Sequence, residues 1–434
     1  MAAYDSYKDS GVKWLGKVPR HWEILPGKAV FSENKVKNDN NTEKFVLSLS
    51  YGRIIPKKDL TEGLVPENYS AYQIVEPGYI IIRCTDLQND KVSLRTGFVK
   101  NHGIISGAYL GLKTKSCFLS QYMHLLLHVW DITKELYRYG SGLRQSLSWN
   151  DIKYLNIPIP PREEQEAIVS YLDNVTAKID EAIEAQQKMI DALNERKQII
   201  ITRAVTKGLN PDAPLRDSGI DWLGQIPAHW KVSAFRRYIQ VLTDFTSNGS
   251  FADLAANVTY LDEPNYSRLI RLTDLRQNLN NKGVWIDKSS HNFLKNSELF
   301  GGELLMACVG AYAGYTCIMP KILEKASLAP NMFLIKTKIA FDEHFAKFYF
   351  DSIFDNLQNI AISSAQPKLN KQDVRSIKII IPPLNEQRDI VEYINGHIVD
   401  LDKAISNCER MISLLQERKQ IIINEVVTGK KKVI

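Results

Sequence analysis

Between Pro160-Pro161 and Lys207 the apolar residues fall in steps of four and three: Ile168, Leu172, Val175, Ile179, Ile183, Ile190, Leu193, Ile200 and Ala204. Gln186 and Lys197 hold the remaining places. That spacing puts a narrow apolar stripe on one face of a long helix. The pattern returns after Pro382-Pro383 as Ile390, Ile394, Leu401, Ile405, Ile412, Leu415, Ile422 and Val426, with His397, Cys408 and Lys419 in the gaps. A proline pair precedes each stretch and acidic residues fill its early turns (Glu163, Glu164, Glu166; Glu386, Asp389, Glu392), where the helix dipole favours them. Lys207-Gly208 and Thr428-Gly429 supply the stops. About 40 residues at 1.5 Å each predict a rod of roughly 60 Å, too long to cover one small domain.

A rod with so thin a stripe needs a partner carrying the same stripe, and the chain contains one, so the two helices are expected to pair as a coiled coil. One globular block precedes each helix, and a pseudo-twofold arrangement makes the pairing antiparallel with the blocks at opposite ends. Each large apolar side chain buried in the seam is worth roughly 1.5 to 3 kcal/mol, against about 0.5 kcal/mol for an exposed ion pair. The seam, not the surface charge, is expected to hold the molecule together. Lys197 and Lys419 interrupt it at equivalent places; they either fix the register or simply snorkel their stems to water.

The repeat extends beyond the helices. A shift of 222 residues carries Gln165 onto Gln387, Asp180 onto Asp402 and Glu195-Arg196-Lys197-Gln198-Ile199-Ile200-Ile201 onto Glu417 to Ile423. The first block opens on Asp9-Ser10-Gly11-Val12-Lys13-Trp14-Leu15-Gly16-Lys17-Val18-Pro19-Arg20-His21-Trp22, the second on Asp217 to Trp230 with the same frame. Gly11 and Gly16 read as turn residues, Trp14, Leu15 and Trp22 as anchors, and His21 and His229 as structural, since no second metal ligand stands nearby. Between the openings and the helices the blocks diverge, but their skeletons align. Leu47 to Tyr51 falls opposite Ile270 to Asp274, both alternating as strands do; Tyr79 to Ile82 falls opposite Glu303 to Met306. Helical stretches near His124 to Tyr139 and Phe341 to Asn359 make each block a mixed α/β domain. A small polar loop (Gly140 to Ser146; Ser363 to Lys368) and a strand (Ile152 to Ile159; Val374 to Ile381) lead into each helix.

Composition adds limits. A chain of 434 residues, 44% hydrophobic, suffices for two to three domains. It has no run of 18 apolar residues and no apolar signal core at Met1 to Lys8, so a cytoplasmic protein without membrane contact is expected. Five scattered cysteines argue against a disulfide framework. The net charge of +6 is unevenly divided: residues 162–207 carry 7 basic and 9 acidic groups and residues 384–429 carry 5 and 8. The positive excess therefore sits on the blocks and on Lys430-Lys431-Lys432, as expected if the blocks face a polyanion.

The D-S-G-x-x-W-L-G-x-x-P-x-H-W openings, the I-P-x-P-P and I-P-P leads into E-Q, and the E-R-K-Q-I-I-I ends resemble the DNA-specificity subunits of type I restriction-modification systems over essentially the whole chain. The resemblance implies an α/β fold in which two mixed α/β target-recognition domains, related by pseudo-twofold symmetry, are joined by two long antiparallel helices. Residues 1–160 would be the first target-recognition domain, 161–207 the first spacer helix and 208–216 a linker. Residues 217–382 would be the second domain, 383–429 the second spacer helix and 430–434 a basic tail. It also implies recognition of a two-part, asymmetric sequence in double-stranded DNA. Two modification subunits would bring S-adenosylmethionine for adenine methylation, and restriction subunits using ATP with Mg can join them; the chain itself would bind no cofactor or metal and catalyse nothing. Side chains suited to phosphates and base edges are Ser48, Tyr51, Arg53, Arg144 and Gln145 in the first block, and Arg271, Thr273, Arg276, Gln366 and Lys368 in the second. Arg and Gln on such loops also serve as ordinary solvated residues. Two half-sites on one face of a duplex are expected about one helical turn, roughly 10 bp, apart.

Three other readings are weaker. A self-contained methyltransferase needs an acidic-or-Asn Pro-Pro-aromatic tetrapeptide, which Asn156-Ile157-Pro158 and Asp262 to Tyr266 only approach, and a translocating nuclease needs a GxxxxGK[ST] loop that is absent. The stronger rival is a scaffold that joins proteins through its coiled coil and never touches DNA; a mixed-sequence duplex pool showing no salt-sensitive enrichment would favour it.

Overall fold

The structure, a computed structural model, describes residues 3–57, 68–85, 87, 94–139, 146–361 and 367–433. It divides into two units, Met1–Gln187 with Glu409–Ile434, and Lys188–Cys408. The division falls inside two helices, Arg162–Lys207 and Leu384–Val427, so each begins in one unit and ends in the other. With 46 and 44 residues they are each about 70 Å long.

In the first unit an antiparallel sheet runs in the order Phe31–Glu33, Leu110–Thr114, Ile80–Ile82, Thr96–Phe98. Helix Ser120–Ile132 shares its core: Tyr122, Met123, Leu126 and Leu127 lie with Ile80, Ile82 and Leu112. Two strand pairs bind the block to its opening and its exit, Tyr7–Asp9 with Lys17–Pro19 and Glu23–Pro26 with Asn156–Ile159. The second unit repeats every one of these parts. Its sheet runs Ile239–Asp244, Met332–Thr337, Leu304–Ala307, Thr316–Ile318, its helix is Glu343–Ser352, and its pairs are Leu215–Asp217 with Gln225–Pro227 and Lys231–Ala234 with Lys378–Ile381.

The units part company in a further layer. The first has the pair Gln73–Val75 with Gly103–Ile105 and the hairpin Leu47–Ser50 with Arg53–Pro56, around a small core of Leu47, Val75, Ile81, Val99 and Ile105. The second has a five-stranded sheet, ordered Tyr260–Leu261, Val284–Ile286, Ser267–Ile270, Lys325–Leu328, Glu298–Leu299, with one parallel pair in its centre. Here the expectation of matching strands fails: Leu47 to Ser50 is a strand, but Ile270 ends one and Leu272–Arg276 is helical. The Asp274 carboxylate accepts from the Arg271 amide at 2.8 Å and from its guanidinium, and these local bonds turn the chain before the alternating pattern can be used. The strands leading into the long helices are also shorter than the sequence suggested, because short helices at Trp149–Ile152 and Lys371–Ser376 precede Asn156–Ile159 and Lys378–Ile381.

Within each unit the long helices meet running antiparallel. In the first, Ile168, Val169 and Leu172 share a core with Ile423, Val426 and Val427, while farther along Asp180 meets Lys419. In the second, Ile201, Ala204 and Val205 lie with Ile390 and Ile394, and Lys197 meets Asp402. Seam residues Ile168, Leu172, Ile179, Ile190, Ile390 and Ile394 are buried, and Val175, Ile183, Leu193, Ile200, Leu401, Ile405, Ile412, Leu415 and Ile422 are half-buried. Partial burial is what a two-helix seam offers, since only one face is covered. One stripe position departs from the pattern. His397 is exposed, lying on the Tyr393 ring at 4.1 Å with Nδ1 bonded to the Tyr393 carbonyl, and Ile398 takes the inward place. At the helix ends the inward face shifts by one residue, to Ile201 and Ile423, where the seam widens into the block cores.

Candidate nucleic-acid interface

The first requirement of such an interface is that the block be held rigidly on its helix, and the repeated E-Q dipeptide does this. Glu164 accepts a hydrogen bond from the Tyr4 hydroxyl and another from Trp22 Nε1 at 3.1 Å, and its Oε2 lies 2.7 Å from His21 Nε2. Glu386 lies 2.9 Å from His229 in the second unit. Burial, then the Glu164 carboxylate, pushes the Tyr4 hydroxyl well above its ordinary pKa, so it remains a donor. Gln165 Nε2 donates to the Pro160 carbonyl at 2.9 Å and its Oε1 accepts from the Leu119 amide at 2.9 Å, at the start of helix Ser120–Ile132. Gln387 does the same with Pro382 at 2.8 Å and the Asp342 amide at 2.8 Å, at the start of Glu343–Ser352. The acidic residues at these helix starts therefore do more than offset a dipole. The two histidines are structural, as their surroundings in the sequence suggested.

Three candidate residues of the first block stand on one hairpin. Ser48 lies in the strand Leu47–Ser50, Arg53 opens the returning strand, and Tyr51-Gly52 forms the turn with φ of 43° and 76°. Positive φ at both central residues gives the turn whose twist suits a hairpin, and it leaves Tyr51 82% exposed. A β-carbon at Gly97 would come within 2.6 Å of Leu49 and 2.8 Å of Ile54, so this glycine gives the hairpin its seat on strand Thr96–Phe98. An exposed tyrosine beside Arg53 at a narrow tip is a shape that a major groove admits.

In the second block Thr273 and Arg276 stand on the short helix Leu272–Arg276, and Arg271 immediately precedes it. Arg271 is committed to the fold, with Nε 3.0 Å and Nη2 2.8 Å from the Asp274 carboxylate. Burial works to raise the Asp274 pKa, but Arg271 and the Asn281 amide outweigh it and hold the carboxyl below its ordinary range. Arg276 is exposed and lies over the Tyr312 ring at 4.2 Å, an arrangement that leaves a guanidinium edge open to an anion. Thr273 is exposed on the same helix. Lys368 is exposed at the rim of a cleft of about 550 Å³ whose lining includes Phe251, Tyr260, Asn331, Asn370 and Lys371. Phe251 is 82% exposed, and no sequence signal distinguished it from a core phenylalanine. Arg144, Gln145 and Gln366 lie outside the described residues.

Among the described residues no group of three or more His, Cys, Asp or Glu is placed to hold a metal, and no helix is long and apolar enough to cross a membrane. The five cysteines are unpaired, and burial pushes the Cys308 thiol beside the cleft up to about 11.

Residues 74–190 and 262–408 match the family model of the type I restriction modification DNA specificity domain. Over 98% of both chains, the sequence is 23% identical to the putative type I restriction enzyme MjaX specificity subunit of Methanocaldococcus jannaschii. It is 22% identical to the type I restriction enzyme MjaVIII specificity subunit of the same organism, over 77% of this chain and 76% of that one. A solved chain from a study of complex assembly and conformational transition of the type I R-M system shares the fold, with a TM-score of 0.68 at 16% identity over 94% of this chain and 98% of that one.

Proposed function

The chain belongs to the type I restriction modification DNA specificity family, and from that premise we propose how it divides the work of sequence recognition with its partners. It is a specificity subunit whose two domains recognise a bipartite DNA target. The observation that carries the finer reading is the one scaffold used twice under two unlike outer layers. A common scaffold presents each layer in the same way, and unlike layers read unlike half-sites, so the target is asymmetric. Tyr51 and Arg53 on the hairpin tip, with Ser48 behind them, face the first half-site. Thr273, Arg276 and Lys368 face the second, and Arg271 acts there through the fold of its helix. The half-sites lie about one helical turn apart, roughly 10 bp.

The chain itself is non-catalytic and cofactor-free. Two modification subunits dock on the paired helices and supply S-adenosylmethionine for adenine methylation, and restriction subunits supply ATP- and Mg-dependent cleavage. The assembly works in the cytoplasm, where the DNA is. Comparing base methylation across genomes of cells with and without this chain tests the reading. One split adenine motif should vanish with the chain, and an unchanged methylation pattern would overturn it.

A further inference from the structure

Outside the opening motifs and the long helices, which share many charges, one group of three cations recurs at matching places in the two units. In the first unit the Gly27 amide donates to the Leu155 carbonyl, the Lys28 amide to the Lys153 carbonyl and the Lys115 amide to the Val30 carbonyl. These bonds bring Lys28, Lys115 and Lys153 to one corner of the block. In the second unit the Phe235 amide donates to Ile377 and the Lys338 amide to Tyr238. Matching these backbone bonds and the strand registers places Arg236 where Lys28 stands, Lys338 where Lys115 stands and Arg375 where Lys153 stands. Charge at neighbouring places is kept only in part: Lys113 answers to Lys336, but Glu23 answers to Lys231, and Asn156 to Lys378.

Five of these six cations are exposed and Lys153 is half-buried. Among the described residues none forms an ion pair with a carboxylate. The Lys115 ammonium donates to the Lys28 carbonyl at 2.9 Å and the Lys153 ammonium to Asn150 at 2.7 Å. Lys28 and Lys153 lie over the exposed Tyr154 ring at 5.4 and 4.9 Å. A fold that merely needed solubility would let such positions drift, as Glu23 and Lys231 have. Retained charge with exchange between Lys and Arg is what a point-charge contact demands, whereas a protein partner reading shape would favour retained geometry.

We infer that Lys28, Lys115 and Lys153 in the first unit, and Arg236, Lys338 and Arg375 in the second, are matching phosphate anchors. Each trio grips the backbone of duplex DNA without reading its sequence. The inference rests on the function proposed above, and it separates affinity, carried by the trios, from base choice, carried by the divergent layers.

The test uses the full chain with its modification subunits and two duplexes, one carrying the methylated motif and one lacking it, followed by fluorescence anisotropy across a salt series. Lys28→Gln, Lys115→Gln and Lys153→Gln together should weaken binding to both duplexes alike. The slope of log affinity against log salt should fall by about 0.9 for each phosphate no longer neutralised, about 3 in all, and the methylated motif should stay the same. Exchanging each lysine for arginine should leave the slope intact, which guards against mere misfolding. A full salt slope in the glutamine variant, or loss of the modification subunits at constant DNA affinity, would overturn the anchors and point to a protein-docking face. Salt-insensitive binding by the unaltered complex would instead remove the proposed function and the anchors with it.

Discussion

Glu164 and Glu386 occupy the same place in the repeat but carry unequal loads. Glu164 is buried and accepts from Tyr4 and Trp22 as well as pairing with His21, whereas Glu386 is less covered and, among the described residues, meets His229. Glu164→Ala leaves two buried donors without an acceptor, so it should cost about 3 kcal/mol in denaturant unfolding, and Glu386→Ala about 1 kcal/mol. Equal losses would mean that the aromatic donors find other partners. A second asymmetry concerns pH. On helix Ser120–Ile132, His124 and His128 stack on each other; burial, with the His128 charge behind it for His124 and the Lys419 charge for His128, lowers them to about 3 and about 4. Both are neutral when folded and take up protons near 6.5 when unfolded. Their contribution is therefore complete above that value and is lost as pH falls toward 4, about 2 kcal/mol for each imidazole by pH 5. The second unit has Lys347 and Asp351, paired at 2.6 Å, at the matching places in its helix. Acid should open the first unit before the second, and His124→Phe with His128→Leu should flatten the pH dependence followed by tryptophan fluorescence. The sequence could not announce this, because two histidines four apart look the same buried or exposed.

At the scale of elements, the paired helices were legible and the outer layers were not. A stripe repeated over some forty residues has one physical solution, and the seam residues from Ile168 to Ile422 lie buried or half-buried as that solution requires. Short strands of two to six residues carry too little pattern to outvote a local cap, which is why Arg271 to Asp274 turns into a helix. Lys197 and Lys419 were open between two roles, and each meets a carboxylate across the seam at 2.6 Å: Lys197 with Asp402, Lys419 with Asp180. The repeat shift carries one pair onto the other, so the contacts are a matched set that favours one register. Their energy is small. A double-mutant cycle on Lys419→Ala and Asp180→Ala should give a coupling of about 0.5 kcal/mol. Lys419→Asp alone should cost more, and Asp180→Lys should restore it; no coupling at all would leave the lysine stems as mere packing.

For the whole molecule, the repeated scaffold makes the blocks exchangeable parts. Replacing Tyr4 to Ile159 with the matching stretch of a relative should alter one half of the methylated motif and keep the other, as read by genome methylation; change in both halves would contradict independent reading. The family and its repeat were plain from the openings, the E-Q leads and the E-R-K-Q-I-I-I ends. The contacting residues were less so, since exposure decides them and Tyr51 and Phe251 differ from core aromatics only in where the chain places them. One connection also sets an order of events. Ile423, Val426 and Val427, near the C-terminus, belong to the core that holds Trp22 and Tyr122, and the Tyr122 hydroxyl donates to the Val427 carbonyl at 3.0 Å. During translation the earliest-made half therefore waits with an open flank while the later half emerges. A ribosome halted before Ile423 would leave the first unit, not the second, as the part that chaperones and proteases recognise.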